Sequence, residues 1–150
     1  MSKQQKKTSE KRHKIVQRFL EKYMTGCLVK YNGVEGVDHT IKFQDRKTVC
    51  ETKTCDKIVK RGLRRVPYRP VIYQNLSLGV FKFRKIQHEK LLEQDGWYLF
   101  VVKTQIVGGL KASELNIKFT ADSKHISWLN IVSQCYPDWL RRLKCDVYGV

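Results

Sequence analysis

The chain has 150 residues, which is enough for one domain with a buried core. Its 30 Lys and Arg residues outnumber 14 Asp and Glu residues and give a formal charge of +16. Hydrophobic residues make up 41% of the chain and aromatic residues 11%, which excludes a basic disordered tail. The charge indicates a polyanionic partner, most simply nucleic acid, although a ribosomal-type or membrane-surface basic protein would share it.

The N-terminal residues and the cysteines indicate the cellular compartment of the protein. Residues 1–14 are polar and basic without an apolar segment, so we expect no signal peptide. No apolar run approaches the length that spans a bilayer. The five cysteines are odd in number and scattered, which favours reduced thiols. These features predict a cytoplasmic protein in a reducing compartment, with no membrane contact.

The N-terminal stretch predicts a basic arm over residues 1–8 and then a helix from about Glu10 to Tyr23. Glu10 lies in the first turn of that helix, where it either stabilises the helix dipole or extends toward acidic residues elsewhere. A short strand over residues 27–31 and a turn at Asn32-Gly33 follow.

Residues 35–53 predict a β-hairpin, because both arms alternate apolar and polar residues. A two-residue turn at Asp45-Arg46 would place Asp38 opposite Lys53, with Glu51 on the same face of the hairpin. A slip of one residue would move Asp38 to the other face. The pattern therefore predicts two carboxylates and an ammonium group within a few Å of one another.

Residues 54–76 read as a basic insertion interrupted by Gly62, Pro67 and Pro70. Its first part holds six basic residues and one acid, which predicts either a solvated charge run or a contact with a nucleic-acid backbone. The six candidate contacts are Lys57, Lys60, Arg61, Arg64, Arg65 and Arg69.

The second half of the chain predicts helices and strands that alternate. The near-continuous apolar run over residues 97–103 is typical of a central strand covered on both faces. Gly108-Gly109 predicts a turn. The other predicted elements are helices over 80–94, 123–134 and 139–143, and a strand near 115–119. In the helix over 80–94, we expect Phe83, Ile86 and Leu91 to face the core.

The element order and the spacing of Asp38 from Glu51-Thr52-Lys53 resemble the PD-(D/E)xK nuclease superfamily. Within it, the chain is most similar to archaeal Holliday-junction resolvase-like endonucleases. The resemblance covers about residues 9–103 and includes Ser9-Glu10-Lys11-Arg12, Val37-Asp38, and the helix end Leu91-Leu92-Glu93-Gln94 before the apolar strand. The proline that often precedes the Asp is missing, and neither the basic insertion nor the last 40 or so residues match.

This resemblance implies a mixed α/β fold in which one domain spans residues 1–150. Its core would be restriction-endonuclease-like, with a central mixed β-sheet, a hairpin that carries the site, and flanking helices. Outside the resemblance, residues 110–150 are predicted to be a C-terminal extension. Trp128, Tyr136 and Trp139 make it a candidate oligomer interface, and ordinary core packing is the alternative. Because a domain with one site must act twice to cut two strands, we expect a homodimer or a higher oligomer.

The resemblance also assigns the site. Asp38 and Glu51 would be direct ligands of Mg²⁺, for which Mn²⁺ would substitute, together with the main-chain carbonyl of Thr52. Lys53 would hold the attacking water or stabilise the phosphate. Glu10 would be an outer ligand or act through water.

Two further residues are lower-ranked candidates. Glu35 precedes Asp38 in a glycine-flanked loop and could replace Glu10 as the accessory acid. Gln87 lies on the helix where several superfamily members place a Gln or Lys near the site, but a surface Gln is the alternative.

The function implied is a Mg²⁺-dependent endonuclease that selects DNA by structure, as junction resolvases do. A site-specific endonuclease of homing or restriction type is the first alternative, and a catalytically inactive DNA-binding protein of the same fold is the second. Each would work on DNA in the nucleoid, and none would need a small-molecule cofactor.

Overall fold

The computed structural model describes residues 3–33, 37–55 and 79–150, with side chains from residue 11 onward. Glu35 and the six predicted backbone contacts of the basic insertion lie outside the described residues. The elements in chain order are α1 (Lys3–Tyr23), β1 (Leu28–Tyr31), β2 (His39–Phe43), β3 (Arg46–Cys55), β4 (Val80–Arg84), α2 (Lys85–Glu93), β5 (Trp97–Val102), β6 (Gln105–Lys111), a 3₁₀ turn (Ala112–Glu114), β7 (Ser123–Ser127), α3 (Trp128–Gln134) and α4 (Trp139–Tyr148).

A five-stranded sheet forms the centre of the fold, in the order β1-β2-β3-β5-β6. The β3–β5 pair is parallel and the other pairs are antiparallel, so the sheet is mixed. The apolar run predicted as a central strand is β5, which is buried along most of its length. A separate two-stranded ribbon pairs β4 with β7. The predicted mixed α/β fold with a central mixed sheet and flanking helices is confirmed.

The two faces of the sheet are covered by different elements. Helices α1 and α4 pack on one face, where the buried residues are Val16, Leu20, Met24, Ile41, Cys50, Trp97, Leu99, Val101, Leu143 and Val147. The β4–β7 ribbon, α2 and α3 cover the other, where the buried residues include Val49, Phe81, Phe83, Leu91, Tyr98, Phe100 and Ile131. None of the described helices is long and apolar enough to cross a membrane.

The hairpin forms, but its turn lies one residue earlier than predicted. Phe43 pairs with Arg46, and Gln44 has a positive φ of 54°, which closes the turn at Gln44-Asp45. The predicted placement of Asp38 opposite Lys53 is therefore wrong. Continuing the ladder beyond the His39–Cys50 pair brings Asp38 opposite Glu51. The pairing shifts by two positions, and an even shift keeps every side chain on its predicted face.

The predicted helix over residues 80–94 is wrong in its first part. Residues Val80–Arg84 form β4, and the helix is confined to Lys85–Glu93. Phe81 and Phe83 are fully buried and alternate with exposed neighbours, which is the period of a strand. Ile86, expected in the core, is 68% exposed.

Gly108 and Gly109 lie within β6, so the predicted turn there is wrong. The chain turns instead at Lys103, whose φ is 56°. A Cβ atom at Gly109 would lie 2.5 Å from the Trp139 ring, and one at Gly108 would lie 2.9 Å from Cys135 Sγ. The two glycines therefore allow the last helix and the segment before it to pack directly on β6.

Other boundaries also differ. Helix α1 begins at Lys3, so most of the predicted basic arm 1–8 is helical. The predicted helix over 123–134 is a strand, β7, followed by α3, with Ser127 as the N-cap that accepts a hydrogen bond from the Asn130 amide. The predicted strand near 115–119 does not form. Residues 110–150 contribute to both layers that cover the sheet.

Candidate active site

Asn32 fixes the backbone that leads into the hairpin. Its amide N–H donates to the carbonyl of Asp38 at 2.8 Å. Its side-chain Nδ2 donates to the carbonyl of Val37 at 2.7 Å and to Thr40 Oγ1 at 2.9 Å. These bonds hold Asp38 just before β2 begins, at the edge of the central ladder.

Asp38 and Glu51 lie side by side across the hairpin. The amide of Thr52 donates to Asp38 Oδ2 at 2.8 Å, and the amide of Asp38 donates to Glu51 Oε2 at 3.3 Å. Glu51 is only 4% exposed. Burial first, and then the negative charge of Asp38, raise the pKa of Glu51 to about 8. Two carboxylates held this closely repel each other, and a bound cation would relieve that repulsion.

Gln87 connects the acid to the lysine. It lies in the first turn of α2, and its Nε2 donates to Glu51 Oε1 at 2.8 Å. Its Oε1 accepts a hydrogen bond from Lys53 Nζ. The Lys53 ammonium also lies 5.7 Å from the centroid of the Phe83 ring. Burial lowers the pKa of Lys53, and the charges of Glu51 and Asp38 oppose that effect.

A cleft of about 460 Å³ opens onto Glu51 and Gln87. The other residues that line it are Val37, Arg84, Ile86, Lys90, Gln94 and Asp122. A second cleft of about 400 Å³, along the β1–β3 strands, shares Val37 and Gln94 with the first. Together they form a groove on one face of the sheet, and Glu51 is one of the residues that line it.

The donor set fits a hard divalent cation such as Mg²⁺, which prefers oxygen ligands and keeps several waters. Asp38 accepts one hydrogen bond, at Oδ2, and Glu51 accepts one at each carboxylate oxygen, from Gln87 Nε2 and from the Asp38 amide. Each carboxylate oxygen can accept more than one interaction, so both residues keep acceptor capacity for a cation. In the described part of the chain, no cluster of three or more His, Cys, Asp or Glu residues could hold a metal. Among the described residues, any further oxygen would come from a carbonyl, such as that of Thr52.

Of the predicted site residues, the structure brings together Asp38, Glu51, Thr52, Lys53 and Gln87. Glu10 lies on α1, whose described side chains pack on the opposite face of the sheet, and its own side chain is outside the described residues. The alternative acid Glu35 lies outside them as well.

Three further residues contribute to the site and were not predicted from the sequence. Arg84 lines the cleft, and its signal was the alternation of Lys82 and Arg84 with buried Phe residues. Asn32 appeared only as part of a turn. Tyr98 pairs in register with Glu51, and its hydroxyl lies 2.8 Å from His88 Nδ1. Burial and then the charge of Glu51 raise the pKa of Tyr98, so it stays neutral; no local pattern in β5 predicted this.

Comparisons with known proteins place this geometry in a family. The structure is similar to that of Hjc, a Holliday junction resolvase from the archaeal hyperthermophile Archaeoglobus fulgidus, at a TM-score of 0.47 and 6% identity, covering 84% of this chain and 98% of that one. No curated protein matches the sequence. The model of the PD-(D/E)XK nuclease superfamily domain matches residues 6–131. The chain therefore belongs to the PD-(D/E)XK nuclease superfamily.

Proposed function

We propose that this protein is a Mg²⁺-dependent DNA endonuclease that hydrolyses phosphodiester bonds. The observation that carries the proposal is the continuous hydrogen-bonded arrangement of Asp38, Glu51, Gln87 and Lys53. Of these residues, Glu51 and Gln87 line the groove. The arrangement combines two carboxylates that repel each other with a partly buried ammonium group held by a hydrogen bond. In metal-dependent phosphodiester hydrolysis, a divalent cation and a positioned ammonium group both stabilise negative charge that develops at the phosphate.

Asp38 and Glu51 would hold the Mg²⁺ ion with the main-chain carbonyl of Thr52, and Mn²⁺ would substitute. When bound, the ion supplies neutralisation of charge on the scissile phosphate and on the leaving oxygen. Lys53 would hold the attacking water or stabilise the phosphate oxygens as negative charge builds up. Gln87 would be a positioning residue, because it fixes Lys53 and Glu51 relative to each other.

Glu10 is the first candidate for an accessory acid, as an outer ligand or through water, and Glu35 is the alternative. For Glu10, the start of α1 would have to bring the carboxylate around the end of the sheet to the opposite face. If the Glu10→Gln variant loses cleavage activity and the Glu35→Gln variant keeps it, the result would support Glu10 as the accessory acid.

The net charge of +16 supports DNA as the substrate. Selectivity for four-way junctions rests on the sequence resemblance to resolvase-like endonucleases. A site-specific enzyme of homing or restriction type is the alternative, and the six basic residues of the insertion would contact the backbone in either case. We further propose a homodimer or higher oligomer, with the C-terminal segment as its interface; Tyr136 there is 43% exposed.

The test is cleavage of supercoiled, linear and synthetic four-way DNA with Mg²⁺, with Mn²⁺ and with EDTA. Wild type should cut with either metal and not with EDTA. Asp38→Ala should bind DNA as wild type does but not cut it. Symmetric cuts in four-way junctions of unrelated sequence indicate a resolvase, and cuts confined to one duplex site indicate a site-specific enzyme. Binding without cleavage of any of these DNAs would favour the inactive DNA-binding protein.

A further inference from the structure

The β4–β7 ribbon has one apolar face and one basic face. Phe81 and Phe83 are fully buried, and Phe81 pairs with Ile126, which packs against the same core. Lys82 and Arg84 alternate with the two Phe residues and are exposed. The packing of the apolar face therefore holds both cations outward on a short, supported strand.

The opposite strand adds polar groups to that basic face. In the antiparallel register, Lys82 lies opposite His125 and Arg84 lies opposite Ser123. Directly opposed side chains share a face, so both lie beside the two cations. His125 is exposed. Neither β4 nor β7 contains an acidic residue.

The two ribbon cations have no carboxylate partner within 4.0 Å among the residues that the structure describes. Asp122 is exposed and lines the same cleft as Arg84, but it makes no such ion pair. By contrast, Arg141 and Arg142 near the C-terminus both pair with Asp138. Because no described acidic side chain pairs with the ribbon's cations, their charge is available to an external anion.

The basic face borders the candidate active site. Arg84 lines the cleft onto which Glu51 opens. Phe83, between the two ribbon cations in sequence, lies under the Lys53 ammonium. The charges of Arg84 and Lys82 both contribute to the lowered pKa of Lys53, behind the larger effect of burial. The two cations therefore lie where DNA entering the cleft would pass.

We propose that the basic face of the β4–β7 ribbon binds the DNA backbone beside the scissile phosphate, with Lys82 and Arg84 contacting neighbouring phosphates. Residues two apart on a strand are about 6.6 Å apart, so the two side chains can contact successive phosphates of one strand. His125 and Ser123 are placed to donate hydrogen bonds to the same strand. This inference rests on the proposed function and assigns its DNA-binding surface to residues outside the basic insertion.

The test compares Lys82→Gln/Arg84→Gln with Lys14→Gln/Arg18→Gln, a control that removes the same two charges from the exposed side of α1. Binding to two duplexes and two four-way junctions of unrelated sequence is measured in EDTA over a range of salt concentrations. The ribbon variant should bind all four DNAs more weakly. The slope of the logarithm of its association constant against the logarithm of salt concentration should be smaller in magnitude by about 2. The control should keep the wild-type slope.

Cleavage kinetics with Mg²⁺ provide the second readout. The ribbon variant should raise KM severalfold, because its residues hold the DNA backbone. The charge-preserving variant Lys82→Arg/Arg84→Lys should recover most of the binding. Matching melting temperatures for all the variants would establish that the fold is intact.

Three results would overturn the inference while leaving the proposed function in place. They are unchanged binding by the ribbon variant, an equal loss in the α1 control, and a loss confined to one DNA sequence, which would indicate base reading. If wild type neither binds nor cuts any of the DNAs, the proposed function itself fails.

Discussion

Two clusters in this protein each combine one lysine with two acids. The pKa of the lysine is raised in one cluster and lowered in the other. In the first, which we call the stabilising cluster, Lys111 Nζ lies 3.0 Å from Asp95 and 3.3 Å from Asp146. Trp97 Nε1 donates to Asp146 Oδ2 at 2.8 Å. Burial acts to lower the pKa of Lys111, but the bonds to the two acids outweigh it and leave that pKa above its ordinary value.

In the second, the site cluster of Asp38, Glu51, Lys53 and Gln87, the charges are less well balanced. The two acids face each other, and Lys53 reaches Glu51 through Gln87. The pKa of Glu51 is raised and that of Lys53 is lowered, so both groups are shifted toward their neutral forms. The same residue types therefore stabilise the fold in the stabilising cluster. In the site cluster they leave negative charge that a further cation would neutralise.

The largest expected difference between the clusters is in cleavage. Asp38→Asn should reduce the cleavage rate at least about a thousandfold, because an ion's stabilisation of developing charge is worth several kcal/mol. Asp146→Asn removes an acid of the same kind from the stabilising cluster and should keep activity within about twofold of wild type at a temperature where it is folded. A gel-based cleavage assay measures both. Equal losses in the two variants would mean that the site cluster has no special role.

The second expected difference is in the dependence of stability on pH. Because the native pKa of Glu51 is raised from 4.5 to about 8, the unfolded chain releases this proton first as pH rises. The stability that Glu51 contributes is full below about pH 4.5 and is lost toward pH 8. In metal-free buffer, the free energy of unfolding of wild type should therefore fall over this range relative to that of Glu51→Gln.

Denaturant titrations at several pH values provide this measurement, with Glu114→Gln as the matched control at an exposed site. Mg²⁺ should flatten the wild-type slope, since a bound cation favours the ionised carboxylate. A wild-type slope identical to that of Glu51→Gln would contradict the raised pKa.

The third expected difference is in stability at fixed pH. Asp146→Asn should lower the free energy of unfolding by about 1–2 kcal/mol, because it weakens the ion pair with Lys111 and changes the acceptor for Trp97 Nε1. Asp38→Asn should leave stability in EDTA unchanged or slightly higher, because it removes repulsion from Glu51. Chemical denaturation in EDTA compares them. A destabilisation of Asp38→Asn as large as that of Asp146→Asn would show that the site cluster is also a stabilising one.

The smallest expected effect concerns the link within the site cluster. Gln87→Ala removes the group that joins Lys53 to Glu51, and we expect kcat to fall about tenfold with little change in KM. Gln87→Glu should be worse, because it adds a third negative charge beside Asp38 and Glu51. Single-turnover cleavage at saturating enzyme measures the chemical step. Wild-type rates in both variants would exclude a positioning role for Gln87.

The sequence predicts some features of the hairpin and not others, because different physical constraints determine its faces and its turn. The side chains of the hairpin lie on their predicted faces, although the turn is one residue earlier than predicted. This is because side chains alternate between faces, so a shift of two residues in the pairing leaves each on the same face. The left-handed conformation of Gln44 could not be predicted, since Gln is not a residue that prefers it. Asp38 and Glu51 were therefore predicted on the same face, but their direct opposition was not.

Tertiary packing decided the parts that the sequence did not predict. Phe81 and Phe83 fit a strand as well as a helix over a short window, and pairing with β7, about 40 residues later, selects the strand. Gly109 resembles a turn residue locally, but it is needed where Trp139 packs against β6. Gln87 was predicted only from the family resemblance, because its role depends on α2 lying over β3.

The measurement that tests the central claim most directly is a calorimetric titration of Mg²⁺ into wild type, Asp38→Asn and Asp146→Asn at pH 8. We predict that wild type and Asp146→Asn bind the ion with similar affinity, and that Asp38→Asn loses this binding. Equal Mg²⁺ binding by wild type and Asp38→Asn, or no Mg²⁺ binding by wild type, would contradict the account.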